Sequence, residues 1–143
     1  KIRMFVTDGD GVLTDAGMYY TDKGDELKKF NTRDGLGIRL LKEAGIVVGI
    51  ITSEKTQIVE RRGAKLDVDF LYQGTYKKLE LLKRECQSRG IALDEVAYIG
   101  DDLNDLGCLE SVGMSFAPAD AVYRVKAIVN HVLETEGGKG AVR

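Results

Sequence analysis

The sequence predicts a three-layer α/β domain with a mainly parallel sheet. Short apolar runs alternate with amphipathic stretches along all 143 residues, and 17 glycines against a single proline, Pro118, suit many tight turns at strand ends. No repeat, linker or low-complexity stretch divides the chain, so residues 1–143 are expected to form one domain. Ile2–Val6 reads as a first strand running into the polar, glycine-bearing Thr7–Asp15. Gly17–Tyr20 and Asp25–Phe30 flank Thr21-Asp22-Lys23-Gly24, a hairpin signal. Asp34–Ala44 has near-helical apolar spacing ended by Gly45, and Ile46–Ile51 is a continuous apolar run suited to a strand covered on both faces. A helix over Glu54–Leu66, a strand Phe70–Tyr72 and a helix Tyr76–Arg89 follow. Val96–Ile99 is a strand, Leu103–Ser111 a short helix, Gly113–Ala117 a strand and Ala121–Leu133 a helix, before a glycine-rich tail, Glu136–Arg143.

Composition narrows the function. The chain carries 43% hydrophobic and 31% charged residues, a globular balance. A net charge of −2 lacks the basic excess of a nucleic-acid binder. The longest apolar-or-glycine run, Ala44–Ile51, is far below the roughly 20 residues that span a bilayer. Cys86 and Cys108 form no CxxC or Cys/His cluster and read as two reduced thiols of a cytoplasmic protein. The first residues read as a strand and not as a signal peptide.

In parallel α/β sheets ligands bind beyond the carboxyl ends of the strands, so the polar clusters that follow strands are the places to seek chemistry. The first is Asp8-Gly9-Asp10-Gly11-Val12-Leu13-Thr14-Asp15. It offers one carboxylate as nucleophile or metal ligand and a second as acid/base. An Asx-rich turn explains the same residues, whereas an EF-hand loop lacks its further ligands here. Thr52-Ser53-Glu54 reads as a helix N-cap or as a phosphate-binding hydroxyl pair. Gln73-Gly74-Thr75-Tyr76-Lys77-Lys78 sets lysines at a strand-to-helix turn, where solvated lysines are common. Gly100-Asp101-Asp102-Leu103-Asn104-Asp105 puts three carboxylates within five residues, which repel unless a cation sits among them. Oxygen donors without His or Cys favour magnesium over zinc.

The order DxDGV, strand-end Thr, Lys, GDDxxD resembles the haloacid dehalogenase superfamily of phosphotransferases over essentially the whole chain. The resemblance implies a Rossmann-like fold in which Asp8 attacks phosphorus and Asp10 acts as general acid and then base. Mg2+ is implied on the Asp8 carboxylate, the Asp10 backbone carbonyl and Asp101, with Asp102 and Asp105 orienting the metal's surroundings. Thr52 would bind phosphoryl oxygens, and Lys78, five past Gln73, would offset charge. Gly9 departs from the larger apolar residue usual there. Only residues 16–51 separate Asp15 from Thr52, and a hairpin and a helix already use them, so no cap domain fits.

The chain is thus similar to the capless subclass that includes 3-deoxy-D-manno-octulosonate 8-phosphate and 2-keto-3-deoxy-nononate 9-phosphate phosphatases. Gly11–Asp15, Lys29–Gly35, Tyr72–Gly74, Val96–Asp102 and Gly137–Arg143 carry that likeness. It implies a homotetramer in which the hairpin flap and a neighbour's tail close the site, with Arg143 available to a phosphorylated sugar acid. Met18, Tyr19 and Tyr20 are expected at an interface. Octulosonate enzymes read T-G-R where this chain has Thr52-Ser53-Glu54, which points to the nine-carbon acid. Glu54 would accept from sugar hydroxyls while Arg62 and Lys65, on a shared helix face with Ile58, bind the carboxylate. The eight-carbon acid is the alternative, and a solvated charged face explains the same residues. Two rivals stand beside the enzyme: a non-catalytic assembly module, which tends to lose the nucleophile or metal aspartate, and a response-regulator-like receiver, which lacks the second aspartate of DxD. His131, the single histidine, cannot form a catalytic pair and reads as structural or surface.

Overall fold

The computed structural model describes residues 1–24 and 26–143. Its main sheet has six strands, all parallel, in the order β5-β4-β1-β6-β7-β8. These are β1 (Met4–Thr7), β4 (Val47–Ile51), β5 (Phe70–Tyr72), β6 (Val96–Ile99), β7 (Met114–Ala117) and β8 (His131–Val132). The two remaining strands, β2 (Tyr19–Tyr20) and β3 (Glu26–Leu27), form the separate antiparallel hairpin. Asp25, which the sequence reading places in its second arm, lies outside the described residues.

Alternation along the strands builds two cores. Met4, Val6, Ile51, Val96 and Tyr98 face one side with Leu82 and Cys86 of α3 (Lys78–Arg89), Cys108 and Leu109 of α4 (Leu106–Leu109) and Val125 of α5 (Tyr123–Lys126). Phe5, Val48, Ile50, Ala97 and Ile99 face the other with Ile38 and Leu41 of α1 (Thr32–Glu43) and Leu66 of α2 (Gln57–Leu66). A period of two in the strands therefore sorts the helices into two layers around the sheet. After β1 the chain builds outward through β4 and β5, then crosses to β6 on the other flank. The end of β1 sits at that reversal, where an open α/β sheet leaves a crevice.

Three elements differ from expectation. The helix expected over Ala121–Leu133 is only the single turn of α5; His131–Val132 instead pairs with Phe116–Ala117. Val125, Ile128, Val129 and Val132 are β-branched, and the open edge of β7 gives the last of them a ladder to join. Leu103–Ser111 divides into a 3₁₀ turn, Leu103–Asp105, followed by α4. Helix α2 begins at Gln57 and not at Glu54, because Thr56 is its cap: the Thr56 hydroxyl accepts from the Val59 N–H at 3.2 Å.

The tail packs on its own chain. Gly138 N–H donates to Val12 O at 2.9 Å, and the Val142 and Arg143 N–H groups donate to Asp34 Oδ1 at 3.0 and 3.2 Å. A Cβ on Gly137 would lie 1.8 Å from the Gly11 carbonyl oxygen, so only glycine lets the tail approach the first loop. Among the described residues no helix is long and apolar enough to cross a membrane.

Candidate active site

The carboxyl ends of β1, β4 and β6 converge on a cleft of about 400 Å³ lined by Asp8, Asp10, Thr52, Ser53, Glu54, Tyr76, Asp101, Asp102 and Asn104. Asp8 follows β1 and is 5% exposed; Thr52 follows β4 and Asp101 follows β6. Lys78 opens α3 and is 1% exposed. Its Nζ lies 3.0 Å from Asp8 Oδ1 and 2.8 Å from Asp105 Oδ1. Asp105 is saturated. The Tyr98 hydroxyl donates to Oδ1 at 2.8 Å, and the N–H groups of Asp101 and Asp102 donate to Oδ2 at 3.1 and 3.4 Å. Asp105 therefore braces Lys78 and the loop, and Lys78 sits between two carboxylates.

The first loop turns sharply at Gly11, where φ is +84° and a Cβ would stand 1.9 Å from Asp101 Oδ2. Glycine there lets two loops bring their acids together. Within this packing Asp8 Oδ1 accepts the Gly9 N–H at 2.7 Å. A Cβ on Gly9 would come 3.0 Å from Thr52 Oγ1, so the small residue suits close packing of the β1 and β4 loops. Because Thr56 caps α2, Thr52 and Ser53 are not needed as caps. Ser53 Oγ instead accepts from Asn104 Nδ2 at 2.7 Å, joining two rims of the cleft.

The acids are electrostatically strained. Burial, then the negative charge of Asp105, raises Asp8 from 3.8 to about 7 despite Lys78. Burial and the charges of Asp8, Asp105 and Asp102 raise Asp101 to about 8. The Lys78 pKa is raised as well, which here favours the charged form: burial works against the ammonium, but Asp8 and Asp105 outweigh it. A divalent cation answers this arrangement. Carboxylate oxygens of Asp8, Asp101 and Asp105 lie within 4.8 Å of one another, and Asp101 Oδ1 is buried without a hydrogen-bond partner. Oxygen-only donors and one unsatisfied carboxylate oxygen fit a hard ion such as Mg2+.

This strain has a measurable sign. Asp8 and Asp101 bind protons more tightly folded than unfolded, so their contribution is intact below about pH 4 and is lost as the pH rises through about 7 and 8. The melting temperature of metal-free protein is expected to fall between about pH 5 and pH 8.5. Added Mg2+ should raise it more at the upper end, by on the order of 5 °C. Calorimetry across that range with and without the ion checks this; a metal-free curve that climbs would contradict it.

Asp102 lines the cleft while its Oδ1 accepts the Leu103 N–H at 2.7 Å. Ile58, Arg62 and Lys65 keep helical spacing along α2, but neither Arg62 nor Lys65 lines this cleft. Glu54 lies in the loop before α2. Arg62 turns elsewhere, donating to Asn31 O at 3.1 Å and standing 5.3 Å over the Phe30 ring. Lys65 is exposed in the last turn of α2. Arg143 lies against Gly37 of α1, outside the cleft. His131 stacks on Phe116 with ring centroids 5.2 Å apart. Motif reading gives no role to Tyr76, Tyr98, Asn104 or Lys28. For Lys28 the usable signal is its place in the hairpin arm, directly after β3.

Comparison with known proteins gives the family. Residues 51–142 match the model of the haloacid dehalogenase-like hydrolases. The chain is 42% identical over its full length to 3-deoxy-D-manno-octulosonate 8-phosphate phosphatase of Haemophilus influenzae, covering 79% of that protein. It is 44% identical to that of Escherichia coli K12, covering 76%. The crystal structure of the Moraxella catarrhalis phosphatase of the same name, in complex with magnesium ion, phosphate ion and KDO, superposes with a TM-score of 0.95 at 36% identity, over 99% of this chain and 81% of that one. With its motifs gathered at the strand ends and this degree of likeness along its length, the chain belongs to the haloacid dehalogenase-like hydrolases and to the phosphatases among them.

Proposed function

We propose that the protein is a Mg2+-dependent phosphomonoesterase for 3-deoxy-2-ulosonic acid phosphates, with 3-deoxy-D-manno-octulosonate 8-phosphate as its substrate. The observation that carries this is the convergence of Asp8, Asp10, Thr52, Lys78 and Asp101 in a chain similar from end to end to octulosonate phosphatases. In this reading an Asp8 oxygen bonds to phosphorus as the bond to the sugar oxygen breaks, giving an aspartyl-phosphate. Asp10 donates a proton to the departing oxygen and later accepts one from the hydrolytic water. Lys78, 3.0 Å from Asp8, offsets the charge that gathers there, and Thr52 hydrogen-bonds the phosphoryl group. Mg2+ held by Asp8, Asp101 and the Asp10 carbonyl would supply the positive charge that lets an anionic carboxylate meet a phosphate dianion.

A second reading keeps 2-keto-3-deoxy-nononate 9-phosphate, because Ser53 and Glu54 line the cleft where a longer polyhydroxyl chain would extend. The eight-carbon acid comes first because the relatives that this chain resembles along its whole length are octulosonate phosphatases. The exposed Met18, Tyr19, Tyr20 and Leu27 on the hairpin support a homo-oligomeric interface, with a tetramer and a cytoplasmic setting as parts of the same proposal. The deciding measurement is Mg2+-dependent phosphate release from both acid phosphates. Preference for the eight-carbon acid, about 10-fold or more in kcat/KM, is the expected outcome. The reverse preference would transfer the assignment to Glu54 and the nine-carbon acid. Release from neither would favour the assembly-module reading.

A further inference from the structure

We propose that Lys28, on the hairpin, is the positioning residue for Asp10 and acts in hydrolysis of the aspartyl-phosphate. This rests on the phosphatase reading and adds to it a residue outside every motif. The geometry divides two carboxylates between two lysines. Asp8 is held by Lys78, whereas both oxygens of Asp10 are held by Lys28 Nζ, at 2.9 Å to Oδ1 and 2.8 Å to Oδ2. On its other side the same ammonium stands 3.5 Å from Glu26 Oε1. Glu26 lies in β3 and Lys28 directly follows that strand, and their ion pair places both side chains on the Asp10 side of the hairpin arm.

This is no solvated surface pair. The Lys28 side chain is buried while that of Asp10 stays 24% exposed, so the pair is held on the lysine side and faces the cleft on the carboxylate side. The Thr14 hydroxyl adds a bond to Asp10 Oδ1 at 3.1 Å, and Thr14 bridges Phe30 just beyond Lys28. The hairpin and first loop are thus joined at two neighbouring points. Asp10 Oδ1 accepts from two donors and Oδ2 from one, so Oδ2 keeps the greater capacity to accept another bond.

That arrangement suits the step in which Asp10 is an acceptor. The water oxygen bonds to phosphorus, the P–O bond to Asp8 breaks with its electron pair returning to the Asp8 carboxylate, and the water proton passes to Asp10 Oδ2. Phosphate and free Asp8 result. Lys28 works here by orientation, since an adjacent ammonium does not make a carboxylate more basic.

The test uses p-nitrophenyl phosphate with Mg2+, whose leaving group departs without a proton, in steady state and in the first turnover. Lys28→Met is expected to lower kcat about 10- to 100-fold. Its kcat/KM, which reports only steps through transfer to Asp8, should stay within about threefold. A burst of nitrophenolate approaching one per site should appear, and Lys28→Arg should recover most of kcat. A parallel fall of kcat and kcat/KM without a burst, or no change in kcat, would overturn the assignment. Should Lys28→Met fail to fold, the same split in Lys28→Gln decides, and equal kcat and kcat/KM losses there would also reject it. A wild-type protein that hydrolyses neither this ester nor any sugar acid phosphate would reject the phosphatase reading itself.

Discussion

Replacing Asp8 with asparagine is expected to abolish phosphate release while leaving the fold at least as stable. The carboxylate is the proposed nucleophile, and an amide at that position cannot form the aspartyl-phosphate, so a loss of about 10⁴-fold or more is expected in kcat. Stability should move the other way. Burial and Asp105 already raise Asp8 to about 7, which means that the ionised group is held at a cost near neutral pH. Removing its charge relieves repulsion with Asp101 and Asp105, while Lys78 keeps its 2.8 Å partner in Asp105. Phosphate release and thermal melting at about pH 8 read the two effects together. Retained activity would remove Asp8 from the reaction. A large drop in melting temperature would mean that the carboxylate supports the fold, contrary to the strain argued here.

Lys78→Met should remove activity and a large share of stability together. The methionine fills a similar volume but leaves Asp8 and Asp105 facing one another without a cation. Asp105 is fully buried and retains only neutral donors: Tyr98 and the two backbone N–H groups. Loss of one partner from a buried ion pair typically costs about 3–5 kcal/mol, a melting shift on the order of 10 °C for a chain of this size. The deficit should shrink towards about pH 5.5, because Asp8 can then take up a proton. Adding Asp105→Asn to Lys78→Met is expected to restore most of the stability and none of the activity. Melting and turnover of the single and double variants form a cycle that separates the two roles of Lys78. A single variant as stable as wild type would show that the buried carboxylates do not depend on the lysine.

Much of the site was legible because its residues occur in contiguous clusters at the ends of apolar runs. Asp8 and Asp10, Thr52, Lys78 and Asp101 could be assigned to one crevice once the runs were read as parallel strands. The glycines at 11 and 137 were visible as residues, but their purpose was not. Gly11 clears space for Asp101 some ninety positions away, and Gly137 clears space for the Gly11 carbonyl. The helix face expected to join Glu54 to Arg62 and Lys65 is interrupted for a local reason: α2 starts at Gln57, which leaves Glu54 in the loop before it. At the other end, helical spacing from Ala121 to Leu133 was real, yet the edge of β7 captured His131 and Val132.

By itself the sequence determined the α/β class, the strand-end position of each acidic cluster, the lack of room for a cap and the preference for oxygen-bound Mg2+. These follow from local pattern, since apolar period, glycine turns and carboxylate spacing each act within a few residues. Tertiary structure alone decided which charge meets which. It paired Lys78 with both Asp8 and Asp105, set Tyr98 behind Asp105, gave Asp10 to Lys28, and carried Arg62 to Phe30 and Arg143 to α1. Long flexible side chains from distant segments have no period in the sequence, and their partners are selected by the buried space that the folded sheet and hairpin leave to them.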